Sequence, residues 1–310
     1  MSFLSAKAIG ACCQRSDYPG QDLKRGDAAK PVSQSDLKLI AHNAHKWLHG
    51  AQDDDSTVAT RFGSLLDCML LTPYQFKNRY ALVPESYHDA KTGELKPWNF
   101  NANVCKVWRE EQAGKECIKG DEFNGASQAV RNLQNDPDIS AVLKESSNQV
   151  LLTGEYECDN GLVVPVCGLL DVVPTLSALA DVKTGVDVST GIWPRTVFQR
   201  GYHVQAAFYL DLFNAAKIGP KRETFLHICV ESSEPFEVGR RVLDSEFIKI
   251  GRAKYKAALD TYSRCIKENR WPSYDEPGAW TPIEAEAWMV MKDGKALLKD
   301  QWEQLGGDAP

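Results

Sequence analysis

From residue 31 onward the apolar positions follow a helical rhythm at first, then gather into Val- and Leu-rich runs, then return to helical spacing. Ser33-Gln34-Ser35-Asp36 precedes LKLIAHNAHKWL, a cap followed by a periodic apolar stretch, so a helix starts there. A second helix is predicted from Thr57 to Leu71, where Val58, Phe62, Leu65, Leu66, Met69 and Leu70 recur at helical spacing. Residues 84–125 are turn-rich and polar, and 126–146 read as helical again. Val150 to Cys158 and Leu162 to Val173 read as strands joined by Asp159-Asn160-Gly161, a hairpin turn. A third strand, Leu179 to Thr184, follows. Pro194 suits a first helical turn, and Phe198, Tyr202, Gln205, Tyr209 and Phe213 fall on one face of the helix it opens. Strands from Glu223 to Glu231 and from Phe236 to Leu243 precede a helix from Ser245 to Lys267.

That order predicts an α/β (α+β) core with a helical N-terminal region. Residues 1–30 are polar and weakly periodic and read as a loose arm. Residues 31–310 read as one domain: 31–146 mainly helical, 147–245 the core, 246–310 C-terminal helices.

With 43% hydrophobic and 25% charged residues, the 310-residue chain matches soluble globular averages, which excludes a disordered, collagenous or rod-like chain. A formal charge of −6 excludes a uniformly basic nucleic-acid coat, so a phosphate partner must meet a local patch or metal ions. The most apolar window, 161–180, is broken by Pro165, Asp171 and Pro174, so no membrane span and no membrane partner are expected. The start, MSFLSAKAIGACC, resembles a lipoprotein box ending at Cys12, but Lys7 interrupts it and no basic leader precedes it. Nine cysteines without a CxxC pair indicate neither a disulfide framework nor zinc, and point to a reducing cytoplasm.

The chemistry concentrates in GLLDVVPTLSALADVKTG, residues 168–185. Asp171 ends one strand, while Asp181 and Lys183, two apart on the next, share a face. Neighbouring strands can thus gather two carboxylates and an ammonium, the minimum set for holding Mg²⁺ against a phosphodiester. An Asp, nine residues, then Asp-x-Lys is the spacing of the PD-(D/E)XK nucleases. The bland alternative is a charge cluster at a strand end.

Around this motif the sequence resembles the phage and prophage RecE-type (exonuclease VIII) branch of that superfamily, related to lambda exonuclease and the RecB nuclease domain. The resemblance runs through PVSQSDLKLIAHNAHKWL (31–48), RFGSLLDCMLLTPYQF (61–76), GLLDVVP, ADVKTG and YHVQAAFYLDLF (202–213), ending at WPSY (271–274). It implies a restriction-endonuclease-like core, a central mixed sheet flanked by helices. The implied activity is a Mg²⁺-dependent 5'→3' exonuclease on linear double-stranded DNA, with Mn²⁺ able to substitute, leaving 3' tails for a single-strand annealing recombinase. A homo-oligomeric ring in a bacterial cytoplasm goes with it.

Carried over by residue, Asp171 and Asp181 resemble the metal carboxylates, the Val182 carbonyl a further ligand, and Lys183 the lysine that positions the attacking water. Gln205 and Tyr209 resemble helix residues contacting the scissile strand, and Tyr202 and His203 the tyrosine–histidine pair beside them, where His203 reads as a structural or phosphate contact rather than a base. An acid on the preceding strand is expected, with Glu155 chosen over Glu157. From their positions flanking the motifs, Arg195, Arg200 and Arg61 read as phosphate clamps or else as ordinary surface charges. One departure stands out: where such enzymes carry a histidine after G-[ST]-x-x, this chain reads Gly63-Ser64-Leu65-Leu66-Asp67, making Asp67 a candidate oxygen ligand.

Other features read as ordinary structure. Asp53-Asp54-Asp55 is a solvated helix start, His42, His45 and His49 form a solvated or DNA-facing helix stripe, and the tryptophans are core. An iron–sulfur nuclease needs a late cysteine triplet, and only Cys229 and Cys265 lie late. A nuclease fold without activity, serving as a DNA-end or recombinase-binding scaffold, is the non-enzymatic alternative, and metal-dependent cleavage of linear duplex discriminates the two.

Overall fold

Ser33 opens the first long helix through a reciprocal cap. Its side chain accepts from Asp36 N–H while Asp36 Oδ2 accepts from Ser33 N–H at 2.9 Å. Asp36 Oδ1 also accepts from Trp47 Nε1 at 2.8 Å, so the cap that starts the helix anchors the buried tryptophan that follows it. This computed structural model describes residues 2–50 and 57–275, with 278, 280 and 282–284. Asp53-Asp54-Asp55, Trp288 and Trp302 lie outside the described residues.

The elements in chain order are β1 (Ser2–Gly10), β2 (Val32–Ser33), α1 (Gln34–His42), α2 (Ala44–His49), α3 (Val58–Leu71), α4 (Phe76–Arg79), β3 (Tyr80–Leu82), β4 (Ser86–His88), β5 (Leu95–Pro97), α5 (Asn103–Glu111), β6 (Glu116–Ile118), α6 (Gly120–Asn135) and α7 (Pro137–Lys144). Then come β7 (Ser146–Glu157), β8 (Val163–Pro174), β9 (Ala178–Gly185), α8 (Trp193–Arg200), α9 (Tyr202–Ala216), β10 (Thr224–Glu231), β11 (Val238–Val242) and α10 (Ser245–Glu268). The main sheet runs β1-β7-β8-β9-β10-β11, with β2 paired to β8. β7, β8 and β9 meander antiparallel, whereas β9 and β10 are parallel through the α8–α9 crossover, so the sheet is mixed.

Helices cover both faces. Leu37 and Ile40 of α1, Phe208 and Leu212 of α9, and Tyr255 and Leu259 of α10 pack in one core; Leu66 of α3, Leu133 of α6 and Ile139 of α7 pack in the other. Along β9 the alternation divides them: Leu179 enters the first core, Ala180 and Val182 the second. Asp181 and Lys183 therefore face α9.

Three expectations change. Residues 2–10 of the expected loose arm form an edge strand paired antiparallel to β7 from Ser2↔Glu157 to Gly10↔Leu151. The strand carries no alternating signal that would reveal it, because Phe3 and Ala6 pack on the core while Leu4 and Ile9 stand exposed. The single helix expected to carry Phe198 through Phe213 is two helices, broken at Gly201, whose φ of +65° ends α8 in the left-handed region. Phe198 stands 51% exposed on α8, apart from the buried face of α9. At the C-terminal end, the domain read through to residue 310 separates into one compact unit at Met1–Trp271 and another at Pro272–Pro310.

Candidate active site

β8 and β9 part company just where the carboxylates stand. Their ladder holds at Val172↔Ala180, and one residue further Asp171 and Asp181 lie across from each other. Asp171 Oδ2 accepts from Val182 N–H at 3.1 Å, and its Oδ1 from Gln149 Nε2 at 3.4 Å. Asp181 is fully buried: Oδ1 accepts from Gln205 Nε2 at 2.8 Å, and Oδ2 is ion-paired with Lys183 Nζ. A buried charge persists only when paired and hydrogen-bonded, and this carboxylate has both.

Gln205 reaches Asp181 because α9 lies over β9. One turn on, Tyr209 packs against Gly168, where an added Cβ would stand 2.8 Å from Tyr209 Cε1, so the glycine makes room for the ring. Asp67 arrives from α3 on the other side. Asp67, Asp171, Lys183, Gln205 and Tyr209 line a cleft of about 570 Å³ with Arg15, Lys38 and Arg79, continuous with a lobe of about 630 Å³ that reaches Arg200 and Thr196.

Burial and mutual repulsion govern the protons. Asp171 is held well above the ordinary carboxylate range by burial, then by Asp181 and Asp67. Burial pushes Asp67 up to about 7, with Lys183 pulling it down and Asp181 pushing it up. Burial works against the charge on Lys183, but Asp181 and Asp171 outweigh it and keep the ammonium above its ordinary range. Burial, then repulsion from Lys183, lowers Lys38 to about 8.

Asp67, Asp171, Asp181 and the Val182 carbonyl offer hard oxygen donors, and a divalent cation would offset the burial, and for Asp171 the repulsion, that raise the Asp67 and Asp171 carboxyls. Among the described residues, no group of three or more His, Cys, Asp or Glu side chains is placed to hold a metal ion. The fit rests on donor chemistry and electrostatics. Asp67, Asp171, Asp181 and Val182 are the residues that would hold the ion.

The sequence-predicted residues divide sharply. Asp67, Asp171, Val182, Lys183, Tyr202, Gln205 and Tyr209 come together in the cleft, Asp181 lies buried behind Gln205 and Lys183, which hold it, and Arg200 lines the outer lobe. Glu155 does not: it stands exposed near the far end of β7, accepting from Ser5 Oγ at 2.9 Å. It lies six positions along the strand from Gln149, roughly 20 Å. Gln149 holds the position beside Asp171 where an acid was expected. His203, expected at the substrate, is fully buried, with Nδ1 at 3.2 Å from Val197 carbonyl oxygen and its ring stacked on Phe198 at 5.3 Å. Arg195 is exposed outside the cleft lining, and Arg61 is held by Glu116 and Glu122.

Sequence reasoning missed Arg15, Lys38, Arg79 and Gln149. Lys38 sits one turn after Gln34 on a helix the cap had already located, so helical phase could have found it. Arg15 rides on a single turn within the expected arm and carries no periodic signal.

Residues 28–279 match a family described as a PDDEXK-like domain of unknown function (DUF3799). No curated protein matches the sequence. The crystal structure of a "Putative exonuclease" from Eubacterium rectale is similar in fold, with a TM-score of 0.54 and 15% identity over 92% of this chain and 100% of that one. A phage related exonuclease from Haemophilus somnus 129PT shares 15% identity over 60% of this chain and 91% of that one, at a TM-score of 0.27. Among the described residues no helix is long and apolar enough to cross a membrane. With more than half its length matched, and Asp171, Asp181 and Lys183 gathered on β8 and β9, the chain belongs to the PDDEXK-like family DUF3799 of the PD-(D/E)XK nuclease superfamily.

Proposed function

We propose that this protein is a Mg²⁺-dependent 5'→3' exodeoxyribonuclease of the RecE type, acting on linear double-stranded DNA and leaving 3' single-stranded tails for a partner annealing recombinase. The observation that carries the reading is the convergence of Asp67, Asp171 and Lys183 in one cleft whose walls also bear Arg15, Lys38 and Arg79, with Asp181 buried behind Lys183 and ion-paired to it. Mn²⁺ substitutes for Mg²⁺, and a homo-oligomeric ring in a bacterial cytoplasm suits processive digestion from an end.

Each residue has a distinct task. Asp171 and Asp181 supply oxygen ligands, with Asp67 taking the place of the family's histidine and the Val182 carbonyl completing the set. The chemistry a bound Mg²⁺ supplies here is polarisation of a phosphoryl oxygen. Lys183 orients the attacking water and offsets negative charge as it develops on the phosphorus oxygens. Gln205 holds Asp181 in one orientation, leaving Lys183 a fixed counter-charge. Arg15, Lys38, Arg79 and Arg200 draw the DNA backbone into the cleft, a local basic lining in a chain of net −6.

The test is degradation of 5'- and 3'-labelled linear duplex beside covalently closed circles, with Mg²⁺, Mn²⁺, Ca²⁺ or chelator. Loss of the 5' label first, sparing of circles and silence in Ca²⁺ are expected. Nicking of circles, or no cleavage in any metal, refutes the reading.

A further inference from the structure

Lys183 ends in four freely rotating bonds, and one carboxylate oxygen does not fix the direction from which its ammonium approaches. The second contact is aromatic. Lys183 Nζ lies 4.7 Å from the ring centroid of Tyr202, and Lys38 Nζ lies 5.4 Å from the same ring. Two ammoniums that repel each other thus share one π-face donor, from β9 and from α1.

The ring is itself braced. Tyr202 is the first residue of α9, set by the left-handed turn at Gly201, against which the stem of Lys38 lies. Trp193 sits 6.1 Å away, tilted 36°, and His227 meets the ring edge-on at 5.8 Å and 79°. His227 is fixed in turn: its Nδ1 accepts from Trp193 Nε1 at 3.2 Å, and its strand position pairs with Asp181 in the β9–β10 register. A ring so held cannot swing out to stack on a base.

We propose that Tyr202 is a positioning residue that fixes the Lys183 ammonium through its ring rather than contacting DNA through its hydroxyl, with Trp193 and His227 as its buttress. The proposal rests on the nuclease reading above. A desolvated cation–π contact of this kind corresponds to roughly 30-fold in rate if it is spent on the transition state.

The experiment replaces residue 202 by Phe, by Leu, and by mono-, di- and trifluorinated Phe, the fluorines draining the ring's negative face. Turnover on linear duplex in Mg²⁺ is read beside duplex affinity in Ca²⁺. Tyr202→Leu is expected to lower kcat about 30-fold with KM and affinity changed less than about threefold. Tyr202→Phe should lose less than about threefold, and kcat should fall stepwise with each fluorine. A flat fluorine series, or Tyr202→Leu raising KM with kcat intact, overturns the proposal. A second readout needs no activity: the Lys183 Cε–H resonance, assigned by its loss in Lys183→Arg, should carry an upfield ring-current shift that Phe keeps and Leu abolishes. A wild-type protein that fails to cleave refutes the nuclease reading, while the resonance still decides whether the ring holds the lysine.

Discussion

Asp67→Asn should make the metal-free protein more stable and the enzyme inactive. Burial raises the Asp67 carboxyl from 3.8 to about 7, so ionising it costs more in the folded state than in the unfolded chain. Below about pH 4 the group is protonated in both states and contributes nothing. Between there and pH 7 the unfolded chain ionises first, and stability falls as pH rises. Above pH 7 the full penalty is present. At 1.36 kcal/mol per tenfold change in proton affinity, the interval corresponds to about 4 kcal/mol at most. Asp171 and Asp181 share the repulsion, and relaxation of the cleft returns part of it, leaving about 2 kcal/mol to recover. Asparagine keeps the shape and removes the charge. With chelator present, its melting temperature should exceed wild type by about 4–8 °C at pH 8 and match it at pH 4. Mg²⁺ should then stabilise wild type at pH 8 and Asp67→Asn far less, with cleavage lost in the variant. Scanning calorimetry at the two pH values checks this. Equal stability at pH 8, or a less stable variant, would refute the electrostatic account of the cleft.

Two further substitutions test how the site is held. Gln205→Leu leaves Asp181 Oδ1 buried without its donor, so denaturant titration should show a loss of about 1–3 kcal/mol, together with a fall in turnover that Gln205→Asn does not restore because its amide is one methylene short. Gly251→Ala would place a Cβ 2.0 Å from the His203 carbonyl oxygen. α10 and α9 would have to separate, and thermal melting should drop by more than the 1–3 kcal/mol of an ordinary overpacked core site.

The core of this site could be read along the chain because it is local. Asp181 and Lys183 share a strand, Gln205 and Tyr209 share a helix, and a period of two or of 3.6 residues suffices to put each pair on one face. Asp171 added one hairpin register, across the short connection between β8 and β9. Glu155 failed for a related reason: choosing an acid on β7 required knowing which residue lies opposite Asp171, and the register there selects Gln149, whose side chain hydrogen-bonds to it. Helical phase decides between the structural and the phosphate-contact readings of His203. The histidine neighbours Tyr202, and two adjacent helix residues point about 100° apart, so one faces the cleft and the other enters the core. Arg15 and β1 were not legible because their placement depends on pairing across about 140 residues with an edge of β7, and a strand half exposed at an edge needs no apolar alternation.

The central claim is that Asp171, Asp181 and Lys183 form a working phosphodiesterase centre. Its most direct test is one time course on 5'-labelled linear duplex with closed circular DNA as internal control, run in Mg²⁺ with wild type and Lys183→Ala at equal, verified DNA occupancy. Wild type should release 5' nucleotides from the linear molecules alone. Lys183→Ala should bind the same DNA and cleave it at least about 10³-fold more slowly, since the ammonium acts on charge that develops only in the transition state. Near wild-type turnover by Lys183→Ala, or linear duplex left intact by wild type, would contradict the claim.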